Sequence, residues 1–447
     1  MGTLGGFQGV FSYVERVLQI NHSVVGHVRA LPFWLVALVI GVTACTDSNV
    51  SSSTTQTSTP PSTSPTGSTT SAAPTSTLAA TTSTTSAPAL DGARWFHHGV
   101  GMSAATLASS GNIVLADNEF VYVADGFGIG LHPEYRVSAF DAITGELVWQ
   151  RDDLTTTESV DDVFLQALVG DTLIVNGQYD SVTAVESSSG DTIWSFRLPD
   201  GYGAVRSAAV DGLLVVGTEA PREGDTRPPI VYALDLVDGS LLWERALAEG
   251  TDLQWSAPPV ADGLVFFSST LSHPQSASGN MIHALDVTTG DLRWVADLGG
   301  DQGFHFYPTL IRGELVVSMS EDGSAVALRV DDGTTEWVQP NAVPMAVGPE
   351  GTIFAYAAQD VVELNPADGS ATPIVEADRL AMNVRGIVIR DSQMIVIGPF
   401  GAVGIELPAG QETWRIDTPE SVAPAAVTSN LVVVALDSGV AVFDLPE

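Results

Sequence analysis

The stretch VYALDLVDGSLLWERAL, from Val231 to Leu247, reads as a strand, a tight turn and a second strand. Its first half alternates so that successive side chains would lie on opposite faces of a sheet. The glycine of VDG supplies the positive φ that a tight hairpin needs. A closely similar stretch, IHALDVTTGDLRWVADL, begins at Ile282. This recurrence indicates that one hairpin unit is repeated along the chain.

The repeat has more than two copies. Each copy has a glycine followed four residues later by Trp, at a period of roughly 40–50 residues, which is typical of arrays of small supersecondary units. A further glycine, Gly369, has Pro373 at the Trp position. The six complete pairs are Gly145–Trp149, Gly190–Trp194, Gly239–Trp243, Gly290–Trp294, Gly333–Trp337 and Gly410–Trp414.

Each unit is predicted to contain four antiparallel strands, because another hairpin precedes the Gly-x-x-x-Trp hairpin, as at Asp211-Gly212 in SAAVDGLLVVGT. Four such strands form a propeller blade. The last unit stops at Asp444, before its final strand, and the segment around Trp95 supplies a match. We therefore predict an all-β, eight-bladed β-propeller over residues 92–447. Pairing of the N-terminal strand with the C-terminal blade would close it and remove its open edges.

The repeated pattern YALD…DG…LLW resembles that of the PQQ-like (quinoprotein-like) β-propeller superfamily over residues 92–447. The resemblance implies that each Trp packs across to the neighbouring blade. In five copies Ala stands six residues before the glycine. This small residue either makes room for a neighbouring indole or reflects only how common Ala is. The five are Ala139, Ala184, Ala233, Ala284 and Ala327.

The superfamily includes quinoprotein dehydrogenases, which hold a quinone and Ca²⁺ in the central funnel, many beside a vicinal disulfide. The single cysteine, Cys45, lies outside the predicted propeller, and the acidic residues do not cluster at a ligand spacing. We predict a non-catalytic binding or scaffold module for a protein or small ligand, without assigned catalytic residues, metal or cofactor. The alternative is a PQQ-dependent dehydrogenase-like enzyme. The architecture also resembles the eight-bladed scaffold lipoprotein of the outer-membrane β-barrel assembly machine. The long Ser/Thr-rich segment before the propeller departs from that protein and indicates a surface lipoprotein of a single-membrane cell instead.

The N-terminus resembles a lipoprotein signal. Residues 31–44, LPFWLVALVIGVTA, are apolar but shorter than the about 20 residues that cross a bilayer. The stretch VTAC that ends at Cys45 resembles a bacterial lipobox, which implies a signal peptide over 1–44 and a lipid on Cys45. The alternative is a chance cysteine beside an ordinary cleavage site. The lipobox places the protein outside the cytoplasm, lipid-anchored to the cell membrane.

A polar segment separates this signal from the propeller. Residues 46–89 are nearly all Ser, Thr, Pro and Ala, with too little apolar surface to offset chain entropy. We predict that residues 45–91 comprise the lipidated cysteine and a disordered linker that acts as a tether.

The chain is strongly acidic, with 53 Asp and Glu against 17 basic residues and a formal net charge of −36. Such a surface repels phosphate backbones, so nucleic acid is not an expected partner. The charge indicates either a generally acidic soluble surface or attraction of cations or a basic partner.

Loop lengths predict the binding face. Three blades have long connections between their second and third strands, opposite the tight turns, and loops on a rigid scaffold often carry function. The pair His97-His98 is not expected to share a metal, because adjacent strand residues face opposite sides; a plain inter-blade loop is the preferred interpretation. Trp255 and His305, at the predicted starts of two innermost strands, are either contact or packing residues. The full candidate face is Phe127, His132, Tyr135, Arg222, Arg227, Trp255, His273 and His305.

Overall fold

The computed structural model is all-β in the residues it describes, and these fall into eight sheets. The predicted signal peptide, Cys45 and the predicted linker up to residue 91 lie outside the described residues. No helix among the described residues is long and apolar enough to cross a membrane. The structure describes residues 92–98, 114–127, 134–154, 163–177, 181–219, 227–248, 251–253, 257–271, 280–299, 309–320, 322–348, 351–376, 384, 386–418, 426–436 and 439–445.

Each sheet is one blade, and its strands A to D follow chain order from the inside outwards. Blades 1 and 2 contain β2 (Val114–Ala116), β3 (Phe120–Phe127), β4 (Glu134–Asp141) and β5 (Leu147–Arg151), then β6 (Val163–Val169), β7 (Thr172–Gly177), β8 (Ser181–Glu186) and β9 (Thr192–Arg197). Blades 3 and 4 contain β10 (Gly203–Val210), β11 (Leu213–Glu219), β12 (Ile230–Asp235) and β13 (Leu241–Ala246), then β14 (Thr251–Leu253), β15 (Val260–Ala261), β16 (Leu264–Leu271), β17 (Asn280–Asp286) and β18 (Leu292–Asp297).

The second half of the ring repeats this plan. Blades 5 and 6 contain β19 (Leu310–Arg312), β20 (Leu315–Met319), β21 (Ala325–Arg329) and β22 (Thr335–Gln339), then β23 (Ala342–Val347), β24 (Ile353–Ala357), β25 (Asp360–Leu364) and β26 (Ala371–Val375). Blades 7 and 8 contain β27 (Gly386–Arg390), β28 (Gln393–Gly398), β29 (Gly401–Glu406) and β30 (Gln411–Asp417), then β31 (Ala426–Val427), β32 (Leu431–Leu436), β33 (Gly439–Asp444) and, as strand D, β1 (Ala93–His98).

The N-terminal strand closes the ring, as predicted. β1 pairs antiparallel with β33, with Trp95 opposite Val442 and His98 opposite Gly439. The first segment of the propeller and the last one therefore share a sheet. The structure also places His97-His98 in this strand rather than in an inter-blade loop, and His97 Nε2 lies 2.5 Å from the Gly145 carbonyl oxygen.

The hydrophobic core lies between the blades. Inner strands of neighbouring blades contact each other, as β6 does β10 and β19 does β23. Each core cluster combines residues of two adjacent blades; one joins Val215 and Val231 of blade 3 to Val265 and Leu285 of blade 4. Because both faces of a blade pack against neighbouring blades, side chains on both faces of a second strand such as β32, LVVVAL, are apolar and buried.

Six tryptophans join consecutive blades through one repeated contact. Each indole lies over the turn glycine of the next blade, and a Cβ added there would come within 2.5–2.8 Å of the ring. The indole N–H donates to the carbonyl oxygen three residues before that glycine, at 2.8–3.1 Å. We call this contact the Trp–Gly contact, and it confirms the expected packing between blades. The pairs are Trp95–Gly145, Trp149–Gly190, Trp194–Gly239, Trp243–Gly290, Trp294–Gly333 and Trp337–Gly369.

The Trp–Gly contact requires glycine for two reasons. The six turn glycines have φ between 71° and 74°, a conformation that other residues adopt only with strain. The indole ring also occupies the place of a Cβ. A fully buried tryptophan removes about 150–250 Å² from water, so a blade junction gains at most about 4–6 kcal/mol from its indole.

The repeated alanine lies beside an indole, that of its own blade. Ala139 lies directly opposite Trp149 of its own blade, and Ala184, Ala233, Ala284 and Ala327 lie opposite their own tryptophans in the same way. Directly opposite residues share one face of a sheet. The small side chain therefore lies beside the indole of its own blade, and the same indole extends onto the turn glycine of the next blade.

The last two junctions depart from the pattern. Blade 6 has Pro373 in place of Trp, and the backbone carbonyl of Ile374 lies where a Cβ of Gly410 would point. In blade 7 the small residue is Gly404, and the Trp414 ring fills the space of its missing Cβ. The Trp414 indole N–H has no hydrogen-bond partner among the described residues. A cleft of about 220 Å³ adjoins it, lined by Gly92, Trp414, Arg415, Ile416, Asp417, Phe443 and Asp444.

We predict that Gly290→Ala destabilises the propeller more than Gly263→Ala does. Both glycines have φ near 70°, at 71° and 73°, so both substitutions carry the same strain of roughly 1–2 kcal/mol. Only at Gly290 would the new Cβ meet an indole, that of Trp243 at 2.5 Å, whereas nothing lies within 4 Å at Gly263. The contact should add about 1–3 kcal/mol. Urea unfolding of both variants measures the difference, and equal losses would show that the indole contact is not needed.

Candidate binding face

The two faces of the ring differ in loop length. The turns between strands A and B are tight, for example Asp211-Gly212 and Asp262-Gly263, where all four residues have positive φ. The connections between strands B and C lie on the opposite face, because successive antiparallel strands reverse direction. Three of them are long and span residues 128–133, 220–229 and 272–279. We call this side of the propeller the loop face.

The structure brings two of the predicted residues together at the edge of blade 1. Phe127 ends β3 opposite Glu134, and Tyr135 lies opposite Gly126 at the start of β4. Both flank the long connection of blade 1, on the loop face. Five further candidates lie outside the described residues: His132, Arg222, Trp255, His273 and His305. Trp255 is predicted from the sequence to begin the innermost strand of blade 4. In the structure this strand consists of two pieces, β14 before Trp255 in the chain and β15 after it.

Arg227 is exposed and packs on a neighbouring blade connection. Its guanidinium carbon lies 5.0 Å from the centre of the Tyr202 ring, and its Nη1 donates to the Asp200 carbonyl oxygen at 3.4 Å. Tyr202 is buried and donates from its hydroxyl to the Pro228 carbonyl oxygen at 3.0 Å. The loop of blade 3 is therefore bound to the connection between blades 2 and 3. Sequence reasoning missed Tyr202, because its only signal was its place between two glycines in DGYG.

Polar side-chain atoms without a hydrogen-bond partner among the described residues lie on the inner strands of blades 2, 3 and 4. Gln166 Oε1 accepts a bond from the Ser207 backbone N–H at 3.1 Å, which joins β6 to β10. Among the described residues, no partner lies within hydrogen-bond distance of Gln166 Nε2, Ser207 Oγ or Thr251 Oγ1, and all three atoms are buried. Buried polar atoms are normally satisfied by protein or water. The three atoms are closed to solvent, so they are not part of an exposed binding surface.

Two ionisable side chains are buried between blades 3 and 4. Arg206 lies opposite Gly217, on the face that meets Phe267 and Leu253 of blade 4, and burial lowers its pKa to about 10. The guanidinium therefore stays charged at neutral pH. His283 is bonded to Ser269 Oγ at 2.7 Å, and burial lowers its pKa to about 4, so it is neutral at pH 7.

The quinone-dependent alternative needs a cation site, since Ca²⁺ takes about six to eight oxygen ligands, prominently carboxylates. Among the described residues, no group of three or more His, Cys, Asp or Glu side chains could hold a metal ion. The buried polar groups near the inner strands are amides, hydroxyls and the Arg206 guanidinium, whose positive charge opposes a nearby cation. The described residues therefore do not fit the Ca²⁺ of such a cofactor.

A family model described as PQQ_2, Outer membrane protein assembly factor BamB, matches residues 39–220 and 227–445. Outer membrane protein assembly factor BamB of Yersinia pestis is 22% identical over 240 residues, which are 51% of this chain and 52% of that protein. The chain spans about half the length of the curated relatives it matches.

Two solved structures share the fold. BamB from Moraxella catarrhalis has a TM-score of 0.53 at 14% identity, with 78% of this chain and 100% of that chain covered. Quinohemoprotein alcohol dehydrogenase from Comamonas testosteroni has a TM-score of 0.54 at 12% identity, with 80% and 77% covered. An assembly factor and a dehydrogenase are thus equally similar in fold, so the fold alone does not separate the two functions.

We predict that His283 makes stability depend on pH between about 6.5 and 4. Above pH 6.5 the imidazole is neutral in both the folded and the unfolded chain. As the pH falls towards 4 only the unfolded chain binds the proton, so stability is lost, by up to about 3 kcal/mol. Urea unfolding of the wild type and of His283→Gln should give a difference that shrinks across this range. A difference that stays constant would mean that His283 titrates alike in both states.

Proposed function

Because this chain belongs to the PQQ-like repeat family of outer membrane protein assembly factor BamB, we propose that it is a non-catalytic scaffold that binds other polypeptides. The relatives' printed role is protein assembly, which names polypeptides as the partner class. The contrast between a face of tight turns and a loop face is the observation that carries the proposal. A rigid ring that holds long loops on one side can present a binding surface without chemistry of its own.

The proposal places the binding surface on the loop face. Phe127 and Tyr135 flank one long connection and Arg227 lies within another. Arg227 combines a charge with an aromatic neighbour, and arginine and aromatic side chains are enriched in protein interfaces. The net charge of −36 favours a partner with a basic surface.

The proposal also places the propeller outside the cytoplasm, on a membrane anchor. The apolar run over residues 31–44 and the VTAC stretch support a lipid on Cys45. The Ser/Thr/Pro-rich segment up to residue 91 would act as a flexible spacer between the lipid and the ring. The domain boundaries proposed are 1–44 for the signal peptide, 45–91 for the lipidated cysteine and linker, and 92–447 for the propeller.

We predict that combining Tyr135→Ala, Arg222→Ala and Arg227→Ala weakens capture of the bound polypeptide about tenfold or more, with little change in the melting temperature. Loss of an interface arginine or tyrosine commonly costs over 1 kcal/mol in binding. The partner is first identified by crosslinking and mass spectrometry of the full chain, and its affinity for each variant is then measured.

Arg390→Ala is the matched control, since this half-exposed arginine ends β27 next to a tight turn, on the opposite face. The control should bind as the wild type does. If the triple variant also binds as the wild type does, the loop face is not the binding surface.

We predict that Cys45→Ala abolishes lipid attachment and releases the chain from the membrane fraction. The thiol is the acceptor of the lipid in the lipobox, and no other cysteine is present to replace it. Metabolic labelling with an alkyne fatty acid, followed by fractionation, measures both effects. Equal labelling of the wild type and of the variant would reject the anchor.

A further inference from the structure

The outer strands of blades 1 to 4 have exposed apolar side chains just ahead of the repeated tryptophan. Their exposed fractions are 40–49%. We call these residues the apolar rim. They are Leu147 and Val148 on β5, Ile193 on β9, Leu241 and Leu242 on β13, and Leu292 on β18.

The repeat itself shows that folding does not require apolar residues at these positions. The two residues before the tryptophan are Thr335-Glu336 in blade 5 and Glu412-Thr413 in blade 7. These strands form the same pairings as β13 does. The apolar rim therefore occurs in one half of the ring, and the blade fold does not explain why these exposed positions are apolar.

Exposed apolar side chains also lie in the turns before these outer strands. Val237 is 78% exposed, and its counterpart in blade 1, Ile143, is 63% exposed. The hairpin of blade 3 thus has three exposed apolar side chains within six residues, Val237, Leu241 and Leu242. Clustered exposed apolar surface marks interaction sites in soluble domains.

The rim follows a strand edge. β13 is the last strand in the order β10-β11-β12-β13, and no strand of the described residues pairs with its outer edge. Five of its six residues are exposed and the sixth, Trp243, is half-buried. An extended peptide that pairs with such an edge gains main-chain hydrogen bonds, and its side chains then meet those of the strand.

The charges around the rim indicate which kind of molecule binds there. Glu146, Asp191, Asp238 and Glu244 are exposed next to the rim residues on blades 1 to 3, against the exposed Arg245 on β13 and Arg293 on β18, so acidic side chains predominate. A second copy of this chain is disfavoured, because each copy has a net charge of −36. An anionic lipid surface is disfavoured for the same reason.

We propose that the apolar rim binds an extended polypeptide segment in which apolar residues alternate with Lys or Arg, added as a fifth strand beside β13. The inference deepens the proposed scaffold role and rests on it, because it names a second surface and the chemistry of the segment bound there. Leu241 and Leu242 receive the apolar side chains, and Asp238 and Glu244 face the basic ones.

The test uses the full chain in detergent and a fluorescent peptide of about eight residues that alternates Val with Lys, long enough to pair with a typical strand. The rim variant is Leu241→Thr with Leu242→Glu, which copies the pair found in blade 5. We expect fluorescence anisotropy to show binding to the wild type and at least about tenfold weaker binding to this variant. The reciprocal variant, Thr335→Leu with Glu336→Leu, should gain affinity while it melts as the wild type does.

Three outcomes would overturn the proposal: equal binding to the wild type and the rim variant, equal binding of a peptide with Asp in place of Lys, or no binding of either peptide. A fourth is rim-dependent binding to vesicles of phosphatidylcholine and phosphatidylglycerol without peptide binding, which would assign the rim to a lipid surface. The peptide assay does not involve the loop-face partner. Its failure would therefore leave the scaffold proposal standing, and loss of the loop-face partner would leave the peptide result intact.

Discussion

The contact between a tryptophan on one blade and the turn glycine of the next is the interaction on which the rest of this structure depends. A four-stranded blade cannot bury both of its faces alone, so each must pack against a neighbour. The indole covers the glycine and donates to a carbonyl beside it, as Trp149 does to Ser187 at 2.8 Å. One side chain thus sets both the spacing and the orientation of two blades. Because the ring has no free blade face, this contact determines the whole architecture.

The same constraint explains where the ring is irregular. Between blades 6 and 7 a proline replaces the tryptophan. Between blades 7 and 8 there is no hairpin turn to receive the indole, because strands C and D of blade 8, β33 and β1, come from opposite ends of the propeller. There Trp414 turns onto Gly404 instead, its N–H has no acceptor among the described residues, and a cleft remains beside Gly92. The pairing of β1 with β33 compensates for this, because it joins the ends of the propeller within one sheet.

In this ring the residues that hold the blades together differ from those proposed to bind partners. The Trp–Gly contacts and the tight turns recur from blade to blade, whereas the long loops and the apolar residues of the outer strands occur in some blades only. The loop face has long connections and Arg227 stacked on Tyr202, whereas the outer strands of blades 1 to 4 have the apolar rim. We propose polypeptide binding at both surfaces. Among the described residues, the buried amides, hydroxyls and guanidinium of the inner strands do not suit a calcium–quinone centre.

The sequence by itself determined the blade, the number of blades and the way the ring closes. These depend on local patterns that recur, namely strand alternation, a glycine with positive φ and a tryptophan at a constant distance from it. Only the tertiary structure decided which alanine meets which indole, that Arg227 packs on Tyr202, and that Gln166, Ser207 and Arg206 lie on adjoining inner strands. Those contacts join residues of different strands and blades, so they cannot be deduced from a repeat along the sequence. The rim illustrates the same division, since Leu241-Leu242 reads as an ordinary strand pair until the sheet order places β13 at an outer edge.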